Sequence, residues 1–335
     1  ARRRAAGVNG AGGYAEIDDY PEVAEAVAAG FGSSEPEDDL EAVFGSPSPQ
    51  PGILDDQAAP LRRLVEAHRA APSVQAPPAA PVIAIASGKG GVGKSTIALN
   101  LAVASERSCT LVDLDLGTAN LDVMCGVSPS RRLDAELFSA GGPDLSRVIV
   151  RTPHGFGLIP GAAGIAGAAN LDPIQRRHLL GAVQRLGDSG EMVIADLGAG
   201  IGPSVVETVA ASDLGIIVTT PDPSAIADAY AIVKCVVQHR GDARPLRMGL
   251  VVTMAPGRAA GRAAHERIDR VCRRFLGGAL PLLGVIRRDE RVVQAAQRRE
   301  PLLAWRGKSH AGKDLRSLAA LVSMLAPRQG RASAG

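Results

Sequence analysis

Ser87 to Thr96 reads Ser-Gly-Lys-Gly-Gly-Val-Gly-Lys-Ser-Thr, and these residue types at this spacing are suited to holding phosphate. Gly88, Gly93, Lys94 and Ser95 satisfy G-x-x-x-x-G-K-[ST], the phosphate-binding loop in which an ammonium reaches the β- and γ-phosphates and a hydroxyl binds Mg²⁺. Glycines let consecutive backbone N–H groups turn inward onto phosphate oxygens. A helix beginning near Lys94 adds its own unpaired N–H groups and the positive end of its dipole. The whole run of Gly88, Lys89, Gly90, Gly91, Val92, Gly93, Lys94, Ser95 and Thr96 is therefore expected to contact the phosphates of a nucleotide with its Mg²⁺. Two carboxylates supply the other chemistry, Asp115 and Asp196; the adjacent Asp113 ends a short apolar stretch, as Asp196 does, and is expected to point into the sheet.

The elements around these residues are those that a phosphate site needs. Pro81–Ala86 is apolar and rich in β-branched residues, and Ile97–Ala104 has helical composition, so strand, glycine turn and helix follow in order. Without those flanks the glycines would read as a turn that tightens a βα unit. Further strands are expected at Cys109–Asp113, Met192–Asp196, Leu214–Thr219 and Leu246–Thr253. Helices are expected at Asp172–Leu186, with Asp172 as cap and Pro173 at the first position, and at Pro223–His239, Ala259–Leu276 and Arg288–Ala296. Near-continuous apolar strands alternating with helices predict an α/β fold, a mostly parallel central sheet covered by helices on both faces. Ligands bind such sheets at the carboxyl ends of the strands, where Asp113, Asp115 and Asp196 fall.

Composition narrows the rest. Of the 335 residues, 46% are hydrophobic, enough for a substantial core, and only 3% are aromatic, which argues against a reader of nucleic acid built on stacking. The four cysteines form no C-x-x-C pair, so reduced thiols are expected and a local zinc or iron–sulfur site is not. No apolar run is long enough to span a membrane, and no apolar signal core follows the basic start. Residues 5–61 hold 12 acids and neither Lys nor Arg. Residues 1–54 read as a disordered acidic leader, with a short helix an option around Tyr20–Ala29. Residues 55–70 read as a short amphipathic helix, 71–80 as a linker, 81–326 as the main domain and 327–335 as a disordered tail. Near the C-terminus, Leu315, Leu318, Leu321, Val322 and Leu325 form an apolar face. Lys308, Lys313 and Arg316 stand near its start, but no Trp or Phe lies on it, and it is read as a last core helix closing the sheet rather than as a membrane-binding helix.

Lys89 is a second lysine that a generic phosphate loop does not need. The form K-G-G-x-G-K-[ST], Lys89 to Ser95, resembles the deviant Walker A box of the MinD/ParA ATPases, and the resemblance implies the P-loop NTPase fold and ATP hydrolysis. It also implies that Lys89 crosses to a partner's nucleotide when two subunits sandwich ATP, so that Lys89 and Lys94 are both catalytic. Asp113 to Asp122 resembles the family's switch I, in which the acid at Asp115 orients the attacking water and stands by the metal, and Asn120 belongs to the nucleotide site. Ile194 to Gly200 resembles switch II, which places Asp196 near Mg²⁺ and lets the Gly200 backbone approach the γ-phosphate. The metal set implied is Ser95, Asp115 and Asp196. Gly157–Gly164 and Thr219–Lys234 are similar to the flagellar-number ATPases of the FlhG (YlxH, FleN) type. So is Asp56-Gln57-Ala58-Ala59-Pro60-Leu61-Arg62, which matches the D-Q-A-x-x-L-R element that activates the partner GTPase FlhF in that group. There Asp56, Gln57, Ala58, Leu61 and Arg62 would meet the partner. The chain departs from the pattern at the base pocket: Thr253 stands where the family often has an adenine-reading Asn, and Arg287 where it often has Pro.

Together these readings predict a slow, partner-regulated ATPase that dimerises with ATP and regulates flagellar number or placement through an FlhF-type GTPase, with flagellar switch proteins as further partners. It would be cytoplasmic, with a peripheral position at the inner membrane face or cell pole as an option. The alternative is a ParA-type partitioning ATPase that coats DNA through Arg258, Arg262, Arg267, Arg270, Arg273 and Arg274. An iron–sulfur carrier is opposed by the absent C-x-x-C, and a decayed ATPase by the intact Lys89, Lys94, Ser95, Asp115 and Asp196.

Overall fold

A computed structural model of the chain describes residues 81–137, 142–162, 171–187, 191–240 and 247–326, together with Val23, Glu25, Ala26, Val27 and Gly30. The chain divides into two units: residues 1–33 with 79–335, and residues 34–78. The second unit, with the Asp56–Arg62 element, lies outside the described residues, as do most of the leader, the linker and the 327–335 tail.

In the first unit, eight strands form one sheet: β1 Val82–Ser87, β2 Cys109–Leu114, β3 Val150–Arg151, β4 Gly157–Ile159, β5 Met192–Ala199, β6 Leu214–Thr219, β7 Met248–Ala255 and β8 Leu282–Arg287. Their order is β3-β4-β2-β5-β1-β6-β7-β8. Every pairing is parallel except β3 with β4. β1 thus lies inside the sheet between β5 and β6, with Ile83 opposite Ile194 on one side and Leu214 on the other. All six of its residues are buried, as a strand covered on both faces requires.

The helices are α1 Lys94–Ala104, α2 Leu121–Met124, α3 Asp134–Leu137, α4 Pro173–Leu186, α5 Pro203–Ala211, α6 Pro223–Arg240, α7 Arg258–Leu276, α8 Glu290–Arg298, α9 Leu302–Arg306 and α10 His310–Leu325. One face of the sheet packs on α1 and α10 through Ile97, Leu101, Leu315 and Leu318. The other packs on α5, α6 and α7 through Val209, Ile232 and Ile268. The start of α4 follows its sequence signals: the Asp172 carboxylate accepts from Ile174 N and Gln175 N, and the Gln175 side chain accepts from Asp172 N, closing a capping box.

The apolar face of α10 is buried, with Leu315, Leu318, Leu321, Val322 and Leu325 each at most 3% exposed. At about 1.5–3 kcal/mol for each fully buried side chain, this face is committed to the core rather than to lipid. Among the described residues no helix is long and apolar enough to cross a membrane. Val23 and Glu25–Val27 are helical, inside the stretch whose composition reads as disordered. Val27 is fully buried in the cluster under α1 and α10, and Val23 packs against it. The strands β3, β4 and β8 and the helices α2, α3, α5 and α9 are not expected from the sequence.

Candidate functional site

The loop from Gly88 to Gly93 joins β1 to α1 at the carboxyl end of the sheet. Gly91 and Gly93 have φ of 78° and 88°, backbone that side chains disfavour. Gly88 is glycine for a different reason: a Cβ there would lie 2.2 Å from the Asp228 carbonyl oxygen on α6. The loop is pinned at that point, whereas Gly90 and Gly91 have nothing within 4 Å. Gly93 precedes α1 with no side chain capping the helix, so the first N–H groups of α1 are left for a ligand.

The structure brings the predicted charges together. Lys94 is 7% exposed, and its Nζ lies 3.4 Å from Asp196 Oδ1. Burial pushes the Asp196 carboxyl up, the neighbouring Lys94 and the Ser95 hydroxyl pull it back, and the net direction is upward. Asp115 is close enough for its charge to raise Asp196 further. Its Oδ1 accepts from Thr118 N at 3.1 Å. A Cβ on Gly198, in the second switch segment, would lie 3.7 Å from that same oxygen. The Asp115 carboxylate is therefore held over the strand end by its own turn and faces the β5 segment.

Asp113 plays a different part. It is 1% exposed, and its carboxylate accepts from Asp115 N, Asn120 N and Leu121 N at 3.2, 3.0 and 3.1 Å. Burial and the charge of Asp196 push it up to about 7 against the pull of those three bonds. Asp113 shapes the loop that carries Asp115 and Asn120, as expected of an acid aimed into the sheet. Asn120 itself is exposed, and it enters this network through its backbone.

These groups suit a Mg²⁺–triphosphate. Mg²⁺ is bound by one or two carboxylates plus substrate phosphates rather than by an all-protein cage. The uncapped α1 terminus and the ammonium of Lys94, shared with a single carboxylate, are donors in want of anionic oxygens. Gly200 has φ 101° and room for a ligand beside it, but its N–H donates to Ser87 O at 2.9 Å, so the expected approach of this amide to the γ-phosphate requires that bond to open.

Lys89 points elsewhere. Its Nζ donates to Ser224 Oγ at 2.7 Å, on the exposed start of α6. Ser224 is held in turn by Asp222, whose carboxylate accepts from the Ser224 hydroxyl and backbone N, both at 2.7 Å. Those two bonds and Lys89 keep Asp222 below the usual carboxylate range.

Beside the loop, a pocket of about 240 Å³ is walled by Ile97, Met254, Ile286, Val292, Val293 and Leu315, the shape and polarity that a nucleotide base needs. Thr253 lines it, but its hydroxyl is turned away. It lies 2.6 Å from Val92 O and 3.0 Å from Thr219 O, and its single proton serves these two carbonyls. Arg287 is also committed: its backbone N, Nε and Nη2 donate to the buried Asp314 at 2.8–3.1 Å. Thr253 thus fastens the phosphate loop to the sheet, and Arg287 fastens β8 to α10. Sequence reasoning missed the apolar wall. Met254, at φ 51°, is shown only by its odd backbone, Ile286 lies on a strand that the sequence does not announce, and Leu315 reads simply as core.

Comparison with known proteins agrees with this geometry. Residues 83–302 match the CobQ/CobB/MinD/ParA nucleotide binding domain. The antiactivator FleN of Pseudomonas aeruginosa is 35% identical over 72% of this chain and 85% of its own length. The flagellum site-determining protein YlxH of Helicobacter pylori is 37% identical over 61% and 68%. The septum site-determining protein MinD of Pyrococcus horikoshii, solved in complex with Mg-ADP, superposes with a TM-score of 0.61 at 25% identity, over 75% of this chain and 99% of that one. Phosphate loop, acidic strand ends and family match converge, and the chain belongs to the CobQ/CobB/MinD/ParA nucleotide-binding family as an ATPase of its MinD/ParA branch.

Proposed function

We propose that this ATPase is a dimerisation switch, gated by ATP, that regulates flagellar number or placement by stimulating an FlhF-type GTPase. The similarity to FleN and YlxH carries the reading. Bound Mg²⁺ would supply charge neutralisation at the phosphates. Lys94 and the α1 amides hold the β- and γ-phosphates, Ser95 and Asp196 hold the metal with Asp115 beside them, and the apolar pocket takes the base. Asp115 aims the attacking water, since positioning and electrostatics supply most of the catalysis in phosphoryl transfer. Lys89 leaves Ser224 and reaches the partner subunit's nucleotide. Its bond to Ser224 is exposed, so water takes the place of the hydroxyl and little is lost on release. The protein works in the cytoplasm, and Asp56, Gln57, Ala58, Leu61 and Arg62 meet the GTPase.

Three measurements test this. Asp115→Ala should accumulate an ATP-bound dimer by light scattering, and a normal hydrolysis rate in that variant would remove Asp115 from its role. Lys94→Ala should lose nucleotide binding or dimerisation. A peptide of residues 50–72 should raise GTP turnover by the FlhF-type enzyme, and no stimulation would overturn the flagellar output. A partitioning ATPase that coats DNA is the second reading, supported by Arg262, Arg267, Arg270 and Arg274, all exposed along α7. Salt-sensitive DNA binding in the ATP state would favour it.

A further inference from the structure

A second concave site lies on the other side of α8 from the base pocket. It has a volume of about 740 Å³ and is lined by Arg291, Gln294, Trp305, Arg306, Lys308 and Arg316, with the backbone of the α9–α10 turn between them. The two cavities share no lining residue. Four cations line this one and no acid does. Among the described residues none of the four has a carboxylate within ion-pair distance, whereas nearby Arg287 and Arg298 are paired with Asp314 and Glu300.

The fold holds these charges in place. The Arg316 guanidinium lies against the turn, donating to the Gly307 carbonyl. A Cβ on Gly307 would sit 2.1 Å from Arg316 Nη2, so a larger residue there would push the guanidinium aside. Arg306 lies over the Trp305 ring, 5.5 Å from its centroid. The turn is fixed by Ser309 Oγ, which accepts from Gly312 N at 3.0 Å. Gathering like charges in one concavity costs energy that an anion of opposite charge returns, and guanidinium forks match phosphoryl oxygens in pairs.

We propose that this cavity binds a small soluble anion carrying at least two phosphoryl groups, at a site separate from the nucleotide site. Trp305 is the only tryptophan in the chain, so tryptophan fluorescence comes from the wall of this cavity. The full-length protein, saturated with ADP in Mg²⁺-free buffer to occupy the phosphate loop, is titrated with pyrophosphate. A saturable change in fluorescence is expected, with half-saturation below about 1 mM at low salt and weakened several-fold at about 0.3 M salt. Orthophosphate should bind at least about tenfold more weakly, because it engages fewer of the four cations. Arg306→Glu with Lys308→Glu, at two exposed positions, should abolish the response while leaving ADP affinity within about twofold. Lys94→Ala should retain the pyrophosphate response. The proposal is overturned by no saturable change, by an unchanged response in the double variant, or by equal binding of orthophosphate. It is overturned too if only vesicles of phosphatidylcholine with phosphatidylglycerol shift the fluorescence, which would assign the cavity to a lipid headgroup.

Discussion

Replacing Thr253 by Val separates holding the loop from reading the base. The substitution nearly preserves volume and deletes one hydroxyl, which lies 2.6 Å from Val92 O and 3.0 Å from Thr219 O. Thr253, Val92 and Thr219 are each at most 4% exposed, so water cannot readily replace the lost donor. Leaving a buried acceptor unsatisfied costs about 1–3 kcal/mol. Part of that cost falls on the phosphate loop itself, since Val92 lies between Gly91 and Gly93. The midpoint of urea unfolding should fall accordingly. If about 1.4 kcal/mol of the loss is felt as loop disorder, nucleotide affinity falls about tenfold. The decrease should be equal for ATP and GTP, because the hydroxyl faces the loop and not the pocket. Fluorescent analogues of both nucleotides, titrated against wild type and variant, give the ratio directly. If Thr253→Val keeps its stability but changes the preference for ATP over GTP, the hydroxyl reads the base and the reasoning fails.

Asp289 caps α8 by accepting from Arg291 N, and it also accepts from Ala311 N at the start of α10, so Asp289→Ala should cost about 1–2 kcal/mol in thermal or urea unfolding. Burial raises the Asp289 carboxyl, but these bonds, the Ser309 hydroxyl and Arg291 outweigh it and hold it below the usual range. Its contribution is therefore complete above the unfolded value near 4 and is lost as pH falls through the lower folded value; stability curves of the variant should lack that part of the acid limb. The buried Asp314 accepts from both Arg287 and Arg258, and Asp314→Ala should cost about 2 kcal/mol in urea unfolding because it removes the charged acceptor that ties β8 to α10. Ser224→Ala removes the resting partner of Lys89; stability should change by less than about 0.5 kcal/mol, and ATP-dependent dimerisation in sedimentation should be equal or tighter. Weaker dimerisation would mean that the Lys89–Ser224 contact belongs to the active form.

What could be read from the sequence was set by local spacing. The phosphate loop, the acid-ended strands and the capped start of α4 each need only residues a few positions apart, and β6 is found at Leu214–Thr219, where the apolar run places it. The elements missed have local signals that contradict their structure. β8 carries Gly284 and ends in Arg287, and α5 is rich in Val, which reads as strand. β4 has only three residues, and they sit inside a stretch that is better read as a motif. The roles of Thr253 and Arg287 were beyond any local reading. Both stand at positions where the family pattern points to a base pocket, and both line that pocket. Their polar atoms are nevertheless claimed by partners distant in sequence: the Thr253 hydroxyl by Val92, 161 positions away, and the Arg287 guanidinium by Asp314, 27 positions away. A pattern fixes which pocket a residue borders, but the direction of its hydrogen bonds depends on which unpaired carbonyls and carboxylates the fold brings alongside. The same holds for Lys89. Its place in the sequence marks it as unusual, but only the approach of α6, close enough to require glycine at position 88, supplies Ser224 as the group that holds it within its own subunit.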